Sequence, residues 1–360
     1  MSHTYDHGGN VFDIARQLGI PAEELLDFSA SINPLGISPV VKKAIICSLD
    51  RLVHYPDSSH AELKQGLAAH HGLAPSNIVL ANGSTELIYN LPAMLHGHSN
   101  RALIISPSFS EYVRALSQHH WEAEHFILRH EDNFTIDLEA LRHKLASGYT
   151  ALYLCNPANP GGTLYPQRVI EQVYSLCLEA GTFLVLDEAF MDFCEECSAK
   201  QFIVHGDNGI VLRSMTKFYG IPGLRLGYAL ASGTLARRLD AMGGPWRVNT
   251  LALAAGSAAL RDEDHNRQTI DFIRTERRRV FELLGEIKTL KVFPSSTNYL
   301  LLQITGGLSS TELRDRLMHQ RILVRNCATF MGLTAQFIRV AIRTRAENDL
   351  LVRAIHAVLK

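Results

Sequence analysis

Five short apolar runs punctuate residues 78–212: Ile78-Val79-Leu80, Ala102-Leu103-Ile104-Ile105, Ala151-Leu152-Tyr153-Leu154, Phe183-Leu184-Val185-Leu186 and Ile210-Val211-Leu212. None alternates apolar with polar residues, so each reads as a strand buried on both faces. Turn residues and helical patterns follow them, as over Gly83 to Leu95, Phe109 to Gln118 and Pro166 to Glu179. Strands separated by helices predict an α/β fold with a mostly parallel sheet covered on both sides. From about Leu235 to Leu290 the pattern turns helical, with Arg274, Arg277 and Arg278 on a solvated face. The remainder reads as a smaller α+β part: strand Tyr299 to Leu302, helix Ser310 to His319, strands Ile322 to Val324 and Phe337 to Ala341, and a last helix. A large unit over 39–242 is expected, with a small unit built from 1–38 and 243–360.

The strand ends carry the chemistry, since ligands of open α/β sheets bind at the carboxyl edge. Lys217 follows the Ile210 to Leu212 run between Ser214, Thr216 and a glycine-rich loop containing Arg225. A lysine presented there, beside hydroxyls and a second cation, suits a Schiff base next to a phosphate. After the first run, Asn82-Gly83-Ser84-Thr85-Glu86 opens a helix whose N–H groups could cradle that phosphate. An ordinary helix start with a capping-box Glu86 explains the same residues. Asn159 lies in the rigid turn Asn156-Pro157-Ala158-Asn159-Pro160, which a plain turn also accounts for. Asp187 ends the most apolar run, where a carboxylate is costly unless paired with a cation. A protonated ring nitrogen or a structural ion pair would each supply one.

Composition narrows the partners. With 360 residues and a net charge of −1, the chain has no basic excess to draw it to nucleic acid or a membrane surface. No apolar run approaches the roughly 20 residues that span a bilayer, and Met1 to His7 lacks a secretory pattern. The six cysteines, several in apolar segments, read as reduced thiols of a cytoplasmic protein. Cys194 and Cys197 form a CxxC with no second pair, and no HExxH occurs among the 17 histidines, so no metal is expected. The doublets His70-His71 and His119-His120 read as surface residues.

These motifs, in this order, resemble the fold-type I pyridoxal-phosphate (PLP) enzymes of the aspartate-aminotransferase superfamily, over essentially the full length. The resemblance implies that Lys217 binds PLP covalently and moves protons. It implies that Ser84, Thr85, Ser214, Thr216 and Arg225 hold the phosphate, that Asn159 bonds the phenolic oxygen and that Asp187 pairs with the ring nitrogen. Phe109 is implied as the residue stacked on the ring, with Tyr112 the alternative. Tyr55 matches a tyrosine that reaches the phosphate bound by the neighbouring subunit, so a homodimer with shared sites is implied. Arg339 matches the arginine that forks the substrate carboxylate. Phe190 departs from the tyrosine many members carry there and points to a specialised branch.

Two branches are similar. His7-Gly8-Gly9-Asn10, Asp27 to Gly36, Asp187 to Phe190, Pro245 to Asn249 and Ile322 to Cys327 resemble a branch that decarboxylates a phosphorylated amino acid. The other transaminates a phosphorylated amino alcohol. For the phosphorylated substrate, His7 can be cationic, the Gly8-Gly9 backbone can approach an anion, Arg325 offers a second cation and Asn33 a polar contact. A loose tail with two glycines is the plainer reading of the arm. A PLP-binding regulator is a further alternative, but the chain has no spare length for a DNA-binding domain and no basic face.

Overall fold

A computed structural model describes residues 8–95 and 99–360. Thirteen strands occur in the described residues, numbered along the chain. The main sheet uses β2 (Ile78–Ala81), β3 (Arg101–Ser106), β4 (Glu122–Ile127), β5 (Ala151–Cys155), β6 (Phe183–Asp187), β7 (Gly209–Ser214) and β8 (Gly227–Leu230). Their order is β2-β8-β7-β6-β5-β3-β4. β8 runs antiparallel to both of its neighbours, and every other adjacent pair is parallel. The five predicted runs all lie within this sheet, which confirms the α/β class.

Burial on both faces follows from the alternation of side chains along each strand. Leu80, Leu152, Leu184, Leu186 and Val211 belong to one core, which extends towards the C-terminal part of the chain. Val79, Tyr153, Val185, Ile210 and Leu212 belong to a second core on the opposite face. That second core is closed by helices Ser84–Met94, Glu111–Gln118 and Gly233–Asp240.

β4 was not legible as a strand, because Glu122-Ala123-Glu124-His125 is polar and its residues are mostly half-buried at the sheet edge. β8 was hidden in the glycine-rich loop.

Beyond the main sheet, helix Thr250–Arg261 packs on helices Pro39–Cys47 and Ala61–His71. A four-stranded antiparallel sheet follows, ordered β12 (Arg325–Asn326), β13 (Phe337–Ala341), β10 (Tyr299–Ile304) and β9 (Leu290–Val292). The run read as one strand over Ile322 to Val324 stops one residue short. Its first two residues form β11 (Ile322–Leu323), which pairs in parallel with β1 (Leu26–Asp27), and Val324 breaks the strand before β12 begins at Arg325. This pairing ties the N-terminal arm to the C-terminal part. No helix of the described residues is long and apolar enough to cross a membrane.

Candidate active site

The carboxyl ends of β5, β6 and β7 open into a cavity of about 630 Å³, roofed by the N-terminal arm and by residues of β12 and β13. Of the predicted residues, Gly8, Gly9, Ser84, Thr85, Phe109, Asn159, Asp187, Ser214, Lys217, Arg225, Arg325 and Arg339 all line it. They come from segments more than 300 residues apart in sequence, so their meeting is a product of the fold.

Lys217 is the centre of this arrangement. Its Nζ donates to Thr216 Oγ1 at 3.0 Å, and the Thr216 hydroxyl also meets Ser214 Oγ at 2.8 Å. Burial, then the charges of Arg225 and Arg339, lowers the amine pKa to about 8, against a partial opposing pull from Asp187. The neutral, nucleophilic amine is therefore accessible near neutral pH. Thr216, expected in the phosphate cradle, does not line the cavity and accepts from this amine. Asn33 N donates to the Lys217 carbonyl at 3.0 Å.

Asp187 is buried, and burial raises its carboxyl above the usual range. Two donors oppose that: Tyr112 Oη at 2.5 Å on Oδ2 and the Ala189 N–H at 3.0 Å on Oδ1. Phe109 lines the cavity and Tyr112 does not.

The helix start expected to hold the phosphate is open and glycine-lined. Gly83, at φ 83°, precedes helix Ser84–Met94 and makes no side-chain cap bond. A Cβ on Gly83 would lie 2.6 Å from Arg225 Nη2, so the glycine admits the guanidinium to the helix start. Glu86 accepts from the Asn82 N–H at 2.6 Å, one residue before the N-cap Gly83, so the expected capping box does not form. A Cβ on Gly227 would lie 2.2 Å from Ser84 N. Gly227→Ala is thus expected to push β8 from the helix start, costing about 1–3 kcal/mol as overpacking does. A lowered melting temperature together with weakened PLP binding checks this; a change in melting alone would detach Gly227 from the cradle.

Arg339 is buried, with Nη2 donating to the Ser29 carbonyl at 2.9 Å and Nη1 to Asn159 Oδ1. Its guanidinium lies 4.9 Å from the Tyr299 ring, and Phe190 meets the same ring edge-on. Its Nε is buried with no hydrogen-bond partner among the described residues. Arg325, also buried, lies 5.1 Å from the Phe330 ring with Nη2 3.5 Å from Thr329 Oγ1.

Several expectations are corrected. Asn33 does not line the cavity: its amide donates to the Phe218 carbonyl at 2.8 Å and Thr269 Oγ1 at 2.9 Å, and accepts from Leu35 N at 3.0 Å. Its hydrogen-bonding capacity is used in clamping the lysine loop. The Gly9 N–H is likewise taken by Ser29 Oγ at 2.9 Å. His71, read as a surface residue, is buried against the Tyr228 hydroxyl at 2.8 Å. Tyr55, expected at the neighbouring subunit's phosphate, lies outside the cavity of its own chain, as that expectation requires, 77% exposed and stacked on Trp246 at 4.3 Å. His7 falls outside the described residues.

One feature was missed altogether. Arg213, fully buried in β7, meets Glu188 at 3.1 Å and Asp192 at 3.3 Å, and also pairs with Glu195. Glu188 further accepts from Ser198 Oγ at 2.6 Å and Ala199 N at 3.0 Å. Arg213 and Glu188 are the sequence neighbours of Ser214 and Asp187, and alternation places them on the opposite face of the sheet. An arginine directly after Ile210-Val211-Leu212 was the available signal.

Residues 23–355 match the family model "Aminotransferase class I and II", and the chain belongs to that family. It is 40% identical over 355 residues to the threonine-phosphate decarboxylase of Salmonella typhimurium, covering 98% of this chain and 96% of that protein. Among solved structures, the histidinol-phosphate aminotransferase of Clostridium acetobutylicum is similar at TM-score 0.86 and 31% identity, covering 93% of this chain and 99% of that one. The L-threonine-O-3-phosphate decarboxylase of Porphyromonas gingivalis is similar at TM-score 0.82 and 28% identity, covering 93% and 99%.

Proposed function

We propose that this protein is a PLP-dependent carboxy-lyase. It converts L-threonine O-3-phosphate to (R)-1-amino-2-propanol O-2-phosphate, the linker of the cobalamin nucleotide loop. The observation that carries the reading is the convergence of Lys217 with two buried arginines, Arg325 and Arg339, under the N-terminal arm. A substrate with an amine between a carboxylate and a phosphate matches those three groups.

The residues fit PLP: an uncapped helix start beside Arg225 and Ser214 for the phosphate, a buried carboxylate for the ring nitrogen, and a neutral-prone amine between them. Bound PLP supplies the electron sink for the bond broken at Cα. Asp187 would hold a proton on the ring nitrogen, and Phe109 would cover the ring. Asn159, whose Oδ1 is engaged by Arg339, keeps its amide N–H₂ as the donor towards the phenolic oxygen. Arg339 would bind the substrate carboxylate and set its orientation, the choice that would favour loss of CO₂ over loss of the Cα hydrogen. Arg325 receives the substrate phosphate. Lys217 Nζ returns a proton to Cα once CO₂ has left.

The test is a paired assay with L-threonine O-3-phosphate and no keto acid, following CO₂ and the cofactor's visible spectrum together. Steady CO₂ release with an unchanged resting spectrum is the expected result. Conversion to pyridoxamine phosphate by histidinol phosphate, without CO₂, would assign the chain to the transaminase branch instead.

The same reading makes the protein a cytoplasmic homodimer, divided into a cofactor-binding unit over 39–242 and a smaller unit of 1–38 with 243–360. Ile37, Val40, Ile46, Leu49, Leu52, Val53 and Tyr55 leave their apolar side chains exposed, too many in one stretch for a monomer surface. Their burial against a second copy would carry Tyr55 towards the neighbouring site. Val53→Asp is expected to yield monomers in sedimentation and to loosen PLP. A wild-type protein already monomeric would overturn the dimer.

A further inference from the structure

We propose that Tyr112 is a positioning residue for Asp187: its hydroxyl fixes one carboxylate oxygen from outside the cavity, so that Asp187 meets the PLP ring nitrogen ionised and in one orientation. This rests on the reading of Asp187 as the ring-nitrogen partner. Tyr112 lies in helix Glu111–Gln118 with no exposed surface, and its Oη donates to Asp187 Oδ2 at 2.5 Å. The ring is held on two sides, 5.3 Å from Tyr153 and edge-on to Phe109 at 5.9 Å. The phenol therefore cannot swing away from the carboxylate without disturbing the helix that also brings Phe109 to the ring.

The chemistry of a phenol suits the task. Burial and the neighbouring Asp187 hold the Tyr112 hydroxyl well above its ordinary range, so it donates and does not ionise. A cationic partner at that point would bind the carboxylate more strongly and compete with the ring nitrogen for its charge. A neutral donor steadies the carboxylate and leaves its charge for the ring. The other groups acting here are the Cys155 thiol, itself pushed up by burial and Asp187, and Lys217, whose charge also favours ionised Asp187.

The test is a double-mutant cycle on cofactor-free full-length protein titrated with PLP, using Tyr112→Phe, Asp187→Ala and the pair. Loss of a hydrogen bond to a buried charge predicts roughly 10- to 100-fold weaker PLP binding in Tyr112→Phe. The pH midpoint of the bound cofactor's visible band should rise, since a ring nitrogen protonated less of the time withdraws less charge from the lysine-linked end. In the Asp187→Ala background, Tyr112→Phe should add less than about a further 3-fold, as expected when one residue acts through the other. An equal penalty in both backgrounds would make Tyr112 a packing residue and overturn the proposal. So would unchanged affinity and midpoint in Tyr112→Phe while Asp187→Ala alters both. If Asp187→Ala changes neither, the reading of Asp187 fails, and the Tyr112 proposal falls with it.

Discussion

Lys217→Ala is expected to abolish turnover and the visible band of bound PLP. The residue is assigned both covalent attachment and proton transfer at Cα. A positioned acid–base group alone contributes about 10²–10⁴-fold, so the loss should exceed that range. Retained activity would remove Lys217 from the site. The pH behaviour follows from the same burial. Only the neutral amine attacks, so PLP capture by the cofactor-free protein should speed up with rising pH and level off above about 8. An exposed lysine would level off near its ordinary value of 10.5.

Stability should show the converse. Between the folded value of about 8 and 10.5, the unfolded chain binds more protons, so the contribution of Lys217 to stability rises with pH through that window. Below it, the buried ammonium carries its full cost. Cofactor-free Lys217→Met should therefore melt above the wild type at pH 7, with the gap closing towards pH 10.5. A gap independent of pH would mean that the amine is not desolvated.

Arg213→Ala should produce the largest loss of stability. Its guanidinium is the shared partner of Glu188, Asp192 and Glu195, the first two of them buried. Removing one partner of a buried ion pair costs about 3–5 kcal/mol, because the remaining charge has neither water nor counter-ion. Lys200 partly compensates Glu195, and Ser198 and the Ala199 N–H hold Glu188, but no other cation pairs with Glu188 among the described residues. Denaturant unfolding of the purified variant measures the effect. Because Arg213 and Glu188 fix the ends of β7 and β6, PLP affinity should fall as well. Arg213→Met, combined with Glu188→Gln, should recover part of the stability by removing two of the opposing charges together. A loss below about 1 kcal/mol in Arg213→Ala, the size of a surface pair, would mean that water enters the cluster.

The local chemistry of this chain was legible in its residues. Apolar runs of three or four residues are buried on both faces, and four of the five form the parallel core β3-β5-β6-β7 while Ile78 to Leu80 forms the buried, antiparallel edge strand β2. The meeting of Lys217 and Asp187 at one cavity was legible too, because a charged residue at the end of such an apolar strand is costly without a partner. Tertiary structure alone decided which atoms meet. Asn33 reads as a free polar contact, yet the approach of Phe218 and Thr269 uses its amide. Thr216 could face either the phosphate or the lysine, and the turn after β7 aims it at the amine. Arg213 and Glu188 pair because two strands adjacent in space, though separated in sequence, place their alternate residues on one face. Residue type states what a group requires; only the packed chain, by removing water and bringing distant segments within hydrogen-bond reach, determines which partner supplies it.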